Sequence, residues 1–254
     1  MTQFSANLGF LWTDRSLPDA IHAAKAAGFD AVELHWPYDT PASALRQALD
    51  ETGLPVLSLN TRRGNVEAGE NGLLALTGRE SDARSAIDEA IAYGRQIGAK
   101  SVHAMCGRAS GARAEQIFID NLHYGCANAA AHGMDVVIEA INPNDCPGYL
   151  LGNIDAAVRI IDQVDAANLT LLFDCYHAAR TGDDPATKLP QVARYLGHIQ
   201  FAGVPDRGPP DEGDVDYARV FQLLKEMGWQ QPLGAEYKPT GKTDDTLGWL
   251  QILR

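Results

Sequence analysis

Between Phe4 and Glu236 the chain repeats a single alternation, and this limits its fold more than any other feature. A helical stretch ends on glycine, and a short apolar strand follows. Gly28 precedes Phe29-Asp-Ala-Val-Glu-Leu34, Gly53 precedes Pro55-Val-Leu-Ser-Leu-Asn60, Gly98 precedes Lys100-Ser-Val-His-Ala-Met105, and Gly133 precedes Met134-Asp-Val-Val-Ile-Glu139. A first strand over 4–10 and later ones over Leu169–Asp174, His198–Phe201 and Leu233–Glu236 bring the number to eight. Helical patterns fall between them: from Ser16-Leu-Pro18 to Gly28, then near 41–52, 79–97, 113–131, 153–165, 186–195 and 215–227, with a short last one near 243–252. Strands alternating with helices form parallel β/α units. Eight units in 254 residues fit one closed (β/α)8 barrel, whose usual length is about 250.

An open doubly wound sheet is the alternative. It would carry a glycine-rich phosphate loop after its first strand, and Asn7-Leu-Gly-Phe-Leu-Trp12 is not one. The α/β expectation is therefore a single TIM barrel domain over 1–254. Two long connections, 61–78 and 203–213, follow strands three and seven. They lie on the face where such barrels carry their sites, which makes them natural lids.

Several classes are disfavoured. A net charge of −12 works against nucleic acid, whose affinity comes largely from phosphate neutralisation. No apolar run approaches the roughly 20 residues needed to span a bilayer, and the first residues lack a basic-then-apolar leader pattern. A cytoplasmic location is expected. The four cysteines, Cys106, Cys126, Cys146 and Cys175, form no C-x-x-C pair and read as reduced thiols. A homo-oligomer is compatible with the sequence.

Four apolar strands end in polar side chains: Glu139, Asp174, Gln200 and Glu236. Any one alone is an ordinary helix cap or loop residue. On four consecutive strands of a closed barrel they converge, and three bare carboxylates at one point would repel and take up a proton. A divalent cation removes the conflict, and an all-oxygen set of three carboxylates and one amide suits Mg2+ or Mn2+ better than zinc. His177, three residues after Asp174, is placed to orient a ligand or bind substrate. His103, Glu33 and His35 end other strands and are candidates to line the same mouth. Asn7 and Asn60 are candidates to donate to a substrate oxygen. Arg207, Lys238, Arg62 and Arg63 are candidates for a substrate carboxylate.

Several segments then resemble the hydroxypyruvate isomerase family. They are Met134-Asp-Val-Val-Ile-Glu139-Ala-Ile-Asn142 with Asp145-Cys-Pro-Gly-Tyr-Leu150, Asp174-Cys-Tyr-His177, His198-Ile-Gln-Phe-Ala-Gly-Val-Pro-Asp-Arg207, Gly234-Ala-Glu-Tyr-Lys-Pro239, and Ala68-Gly-Glu-Asn-Gly-Leu73 with Thr77-Gly-Arg-Glu80. The likeness covers essentially the whole chain and points to the xylose isomerase-like barrels. It implies a catalytic pair, Glu139 and Glu236, and a divalent metal held with Asp174 and Gln200. The implied reaction is an aldose–ketose type isomerisation of a small hydroxy-oxo acid, hydroxypyruvate to tartronate semialdehyde. Rival readings are a four-carbon 2-oxo acid (2-oxo-tetronate) isomerase, a ketose 3-epimerase, which typically carries His where Gln200 stands, and a non-catalytic sugar- or acid-binding barrel. Two departures stand out. Cys175-Tyr176 replaces the usual Thr-Phe or Ile-Phe, and Arg62-Arg63 stands where many relatives carry small residues or proline.

Overall fold

A computed structural model describes residues 1–254. Its eight strands are β1 (Phe4–Asn7), β2 (Ala31–Leu34), β3 (Val56–Asn60), β4 (Ser101–His103), β5 (Asp135–Glu139), β6 (Leu169–Asp174), β7 (Leu196–Phe201) and β8 (Leu233–Ala235). All neighbours pair in parallel, and β8 closes on β1 through Phe4 beside Leu233. The closed barrel is the one expected, and the open sheet is excluded.

The helices α1 (Leu17–Ala27), α2 (Ala42–Thr52), α3 (Glu80–Ile97), α4 (Ala112–Ala130) and α5 (Ile154–Val164) match the sequence reading closely. The ends of α1 show why. Ser16 Oγ accepts from the Asp19 N–H, and Gly28, at φ +93°, returns its N–H to the last carbonyls of the helix.

Later elements differ more. A helix over 186–195 is interrupted: α7 (Pro185–Gln191) contains Pro190, and a 3-10 turn, Ala193–Tyr195, follows. The α6 helix (Cys175–Arg180), absent from the sequence reading, begins directly after β6 because the Asp174 carboxylate accepts from the Tyr176 N–H at 2.8 Å. The last helical pattern divides into a 3-10 turn, Thr243–Thr246, and α9 (Trp249–Ile252), after α8 (Tyr217–Glu226). Strand one is also shorter than expected. Phe10 and Leu11 turn back to hydrogen-bond the Asn7 carbonyl.

Strand register positions the site. Asp174 lies beside Gln200, Gln200 beside Gly234, Asn60 beside His103, and Asn7 beside Glu33. Phe4 of β1 and Phe201 of β7 pack against Phe221 of α8 and Trp249 of α9, with Phe4–Trp249 centroids 5.2 Å apart. These rings tie the last two helices to the strands on either side of β8.

The two connections expected as lids are both partly clamped. In the first, Leu73, Leu74 and Ala75 are buried, and the Asn121 side chain donates to the Leu74 carbonyl at 2.8 Å. In the second, Gly203 pairs with Gly208, and the Lys238 N–H donates to the Arg207 carbonyl at 2.7 Å. Loops held at this many points are fixed walls over much of their length. No helix is long and apolar enough to cross a membrane.

Candidate active site

Glu139 ends β5, Asp174 ends β6, Gln200 is the penultimate residue of β7, and Glu236 follows β8. All four are buried. Ligand atoms of Glu139, Asp174 and His177 lie within 4.8 Å of one another. Glu236, expected in the same group, is not in that tight cluster. Glu236 is drawn aside: its Oε1 accepts from Asn7 Nδ2 at 2.9 Å and meets His35 Nε2 at 2.8 Å, and its Oε2 accepts from the Arg207 guanidinium. Arg207 also donates to Asp174 Oδ2 at 3.1 Å, so one cation joins the two carboxylates.

Arg207 is 12% exposed, and the rings of Phe10 and Tyr176 both lie 5.0 Å from its guanidinium carbon. Tyr176, one of the departures from the family pattern, thus packs against the cation of the site. Lys238, expected beside Arg207, is exposed and forms no ion pair; only its main chain holds Arg207.

His177 bridges the cluster. Both the Asn142 main-chain N–H and the Asn142 side-chain amide face its Nδ1, at 3.3 and 2.7 Å. That amide's orientation is fixed, since its oxygen accepts from the N–H groups of Asn144 and Asp145. The His177 Nε2 lies 3.2 Å from Arg207 Nη1 and 3.6 Å from both Glu139 Oε1 and Asp174 Oδ2. His103 Nε2 approaches Glu139 Oε2 at 3.7 Å from the other side.

Burial governs the charge states of these groups. It raises the Glu139 carboxyl well above its ordinary range, reinforced by Glu236 and Asp174 nearby. Burial also lifts Asp174 to about 7, against the pull of Arg207. For Glu236 burial is outweighed by Arg207 and His35, which hold it down at about 2. His177 is driven well below the usual imidazole range by burial and by Arg207, and His103 falls to about 4 through burial.

Two further expectations need correction. Glu33 does not line the mouth. It is 1% exposed, lies under Gln200, and both its oxygens are engaged, by Ser5 and by Gln200. Arg62 is turned outward onto Glu89 of α3 at 2.6 Å, so it does not face a substrate. Asn60 is at the end of β3 as expected, and its carbonyl accepts from the Tyr38 hydroxyl. Contacts the sequence reading missed are those of Asn142 and Ser5, and the space left by Gly9. A Cβ on Gly9 would fall 1.9 Å from the His35 ring that reaches Glu236. A glycine two residues beyond a strand-end asparagine was the available signal.

The residues present suit a divalent cation. Glu139 Oε1 and Gln200 Oε1 are buried with no hydrogen-bond partner, as is His103 Nε2. Buried polar atoms left open in this way are uncommon. Two of the three are hard oxygens, on Glu139, which clusters with Asp174, and on Gln200, its register partner, which is the donor chemistry Mg2+ and Mn2+ take.

Comparisons with known proteins give the family. The family described as "Xylose isomerase-like TIM barrel" matches residues 21–253. A 2-oxo-tetronate isomerase from Cupriavidus necator is 41% identical, covering 99% of this chain and 98% of its own. A hydroxypyruvate isomerase from Escherichia coli is 32% identical over the whole of both chains. A crystal structure described as an AP endonuclease, family 2, from Brucella melitensis superposes with a TM-score of 0.95 at 33% identity, covering 100% of both chains. On family match and full-length relatives alike, the chain belongs to the xylose isomerase-like TIM barrel family, with the hydroxypyruvate and 2-oxo-tetronate isomerases among its relatives.

Proposed function

We propose that the protein is a metal-assisted isomerase of a short hydroxy-oxo acid, converting hydroxypyruvate to tartronate semialdehyde (2-hydroxy-3-oxopropanoate). One observation carries the reading: two buried glutamates, Glu139 and Glu236, share one barrel mouth with the buried Arg207 cation and the unpartnered oxygens of Glu139 and Gln200.

In the reaction a proton leaves C3, C2 gains one, and the hydroxyl proton passes from O3 to O2. No oxidant is consumed. Glu139, Asp174, Gln200 and Glu236 would hold the cation, Mg2+ or Mn2+. The cation would supply Lewis-acid polarisation of the substrate carbonyl and stabilise enediolate charge. Of the two glutamates, one takes the carbon-bound proton and the other returns a proton to the neighbouring carbon. Asn7 and His35 hold the Glu236 carboxylate in place during this transfer. His177, fixed by Asn142, presents its Nε2 toward the oxygens of the site and the Arg207 guanidinium. Arg207 is the guanidinium available to the substrate carboxylate, and its planar fork suits that partner. The aromatic rings of Phe10 and Tyr176 limit its swing and shield the pair from water.

A second reading, isomerisation of a four-carbon 2-oxo acid, is favoured by three 2-oxo-tetronate isomerase relatives at 41, 36 and 37% identity. Both readings place the same chemistry on the same residues. The test is turnover by metal-stripped protein reloaded with Mg2+ or Mn2+, with hydroxypyruvate beside the four-carbon acid and free ketoses, in deuterated water. Cation-dependent turnover of hydroxypyruvate with deuterium on the carbon skeleton supports the first reading. Turnover of the four-carbon acid alone supports the second. Exchange on ketoses alone would overturn both.

A further inference from the structure

Beneath the mouth lies a hydrogen-bonded group that the proposed reaction does not use directly. Glu33 Oε2 accepts from Gln200 Nε2 at 2.6 Å, and Glu33 Oε1 accepts from the Ser5 hydroxyl. His198 Nε2 lies 3.0 Å from the same Oε2 without the alignment of a hydrogen bond. All four side chains are buried inside the barrel.

A glutamine amide has two ends of nearly equal shape, and the partner of one end decides where the other points. A carboxylate only accepts, so Glu33 takes the NH2 end. The carbonyl end is thereby left over, and it is the buried Oε1 with no partner. Room for this pair depends on Gly234, which sits beside Gln200 in the β7–β8 register. A Cβ there would fall 2.4 Å from Glu33 Oε1 and 2.8 Å from Gln200 Cγ. Ser5, Glu33, Gln200 and Gly234 come from β1, β2, β7 and β8, adjacent strands on both sides of the barrel's closing seam.

We propose that Glu33 is a positioning residue that holds the Gln200 amide with its carbonyl oxygen free, creating the neutral oxygen of the cation site. The proposal rests on the reading of Gln200 as a cation ligand. If the amide were turned over, its NH2 would face the cation and repel it. Glu33 therefore acts on the cation through Gln200, as second-tier partners of metal ligands do.

The test uses Mn2+ as probe, titrated into the whole metal-stripped protein, with free Mn2+ read by electron paramagnetic resonance. Melting of each cation-free variant reports whether it folds. Glu33→Gln keeps an acceptor at the same reach without the charge. Glu33→Asp keeps the charge and withdraws it by one methylene. Gln200→Met removes the amide. Affinity is expected to stay within a few-fold in Glu33→Gln and to fall roughly 10–100-fold in Glu33→Asp and in Gln200→Met. The double variant Glu33→Asp with Gln200→Met should be no weaker than Gln200→Met alone, because Glu33 acts through that amide. Should Glu33→Asp fail to fold, Gly234→Ala crowds the same pair from the other side and is expected to weaken Mn2+ binding as well.

Parental affinity in Glu33→Asp alongside weak binding in Gln200→Met overturns the positioning role and leaves the ligand reading standing. A loss in Glu33→Gln larger than that in Glu33→Asp also overturns it, since charge rather than the held amide would then matter. Parental affinity in Gln200→Met overturns the ligand reading, and the positioning role with it.

Discussion

Arg207 and Glu236 are joined twice: the guanidinium donates to the Glu236 carboxylate, and its Nε donates to the Glu236 main-chain carbonyl at 3.3 Å. The same guanidinium reaches Asp174. Arg207 therefore brings positive charge to both carboxylates. Replacing it with methionine leaves those carboxylates buried and uncompensated, a loss of about 3–5 kcal/mol for a broken buried pair. The Tm of the metal-free protein should fall, and saturating Mg2+ or Mn2+ should recover much of the fall. An equal drop in both states would mean that Arg207 contributes packing alone.

Glu139→Gln and Glu236→Gln keep shape and remove proton transfer. Each should lower kcat by roughly 10²–10⁴-fold, the usual contribution of a positioned acid or base. Circular dichroism should remain that of the parent. Because the two act on neighbouring carbons, deuterium exchange at the substrate carbon can survive in one variant while net isomerisation is lost in both. Full activity in either variant would remove that residue from the mechanism.

The cation-free protein should become less stable as pH rises through about 7. Burial raises Glu139 and lifts Asp174 to about 7, above their ordinary values. A carboxyl whose folded-state pKa is raised stabilises the fold fully below its unfolded value, and loses that contribution as pH climbs through the folded one. Glu236, held at about 2, acts in the opposite sense, since its contribution is present above the ordinary carboxylate range and lost only toward pH 2. Metal ligands must be ionised, so added Mg2+ should stabilise more at pH 8 than at pH 5.5. Melting curves across that range with chelator or with Mg2+ are the check. A metal-induced shift that does not grow with pH contradicts it.

His35 depends on Gly9 for its place. A methyl at residue 9 would overlap the imidazole, and overpacking of this kind costs typically about 1–3 kcal/mol. Gly9→Ala should therefore push His35 off Glu236 and lower kcat with a smaller effect on KM. A His35→Asn variant should reproduce the kinetic loss without the loss of stability. If Gly9→Ala is destabilised and catalytically normal, the His35 contact plays no part in turnover.

The barrel was legible because its signal is repeated and local. Glycine-ended helices, each followed by an apolar strand, recur along the chain, and closure follows from their number. The acidic strand ends were legible for the same reason, since each interrupts an apolar run at the face where sites form. What could not be read was direction. Glu33 ends an apolar run just as Glu139 does, yet its side chain lies under Gln200, because the strand stagger of a closed barrel sets the height of each residue. Asn142 carries no periodic signal at all, and its importance appears only when the loop after β5 folds back onto His177. The 186–195 pattern misled for a local reason: Pro190 lacks an N–H, and the chain passes to a 3-10 turn soon after it.

Arg62 and Arg63, adjacent in sequence, have different fates, and substrate preference should follow only one of them. Arg62 makes two hydrogen bonds to Glu89, at 2.6 and 2.9 Å, and covers the Tyr38 ring. It is committed to the outer face, and an exposed pair of this kind is worth about 0–1 kcal/mol. Arg63 has no carboxylate partner. Its guanidinium lies flat on Trp36, 3.8 Å from the ring centroid, and Trp36 packs against His35, which reaches Glu236. Through Trp36 and His35 the Arg63 charge is linked by packing to Glu236. Arg63→Ala should thus lower kcat/KM for the four-carbon 2-oxo acid about tenfold more than for hydroxypyruvate, about 1.4 kcal/mol of discrimination. Arg62→Ala should leave that ratio as it is. The two variants assayed on both acids decide the matter, and an unchanged ratio in Arg63→Ala would place the control of chain length elsewhere in the mouth.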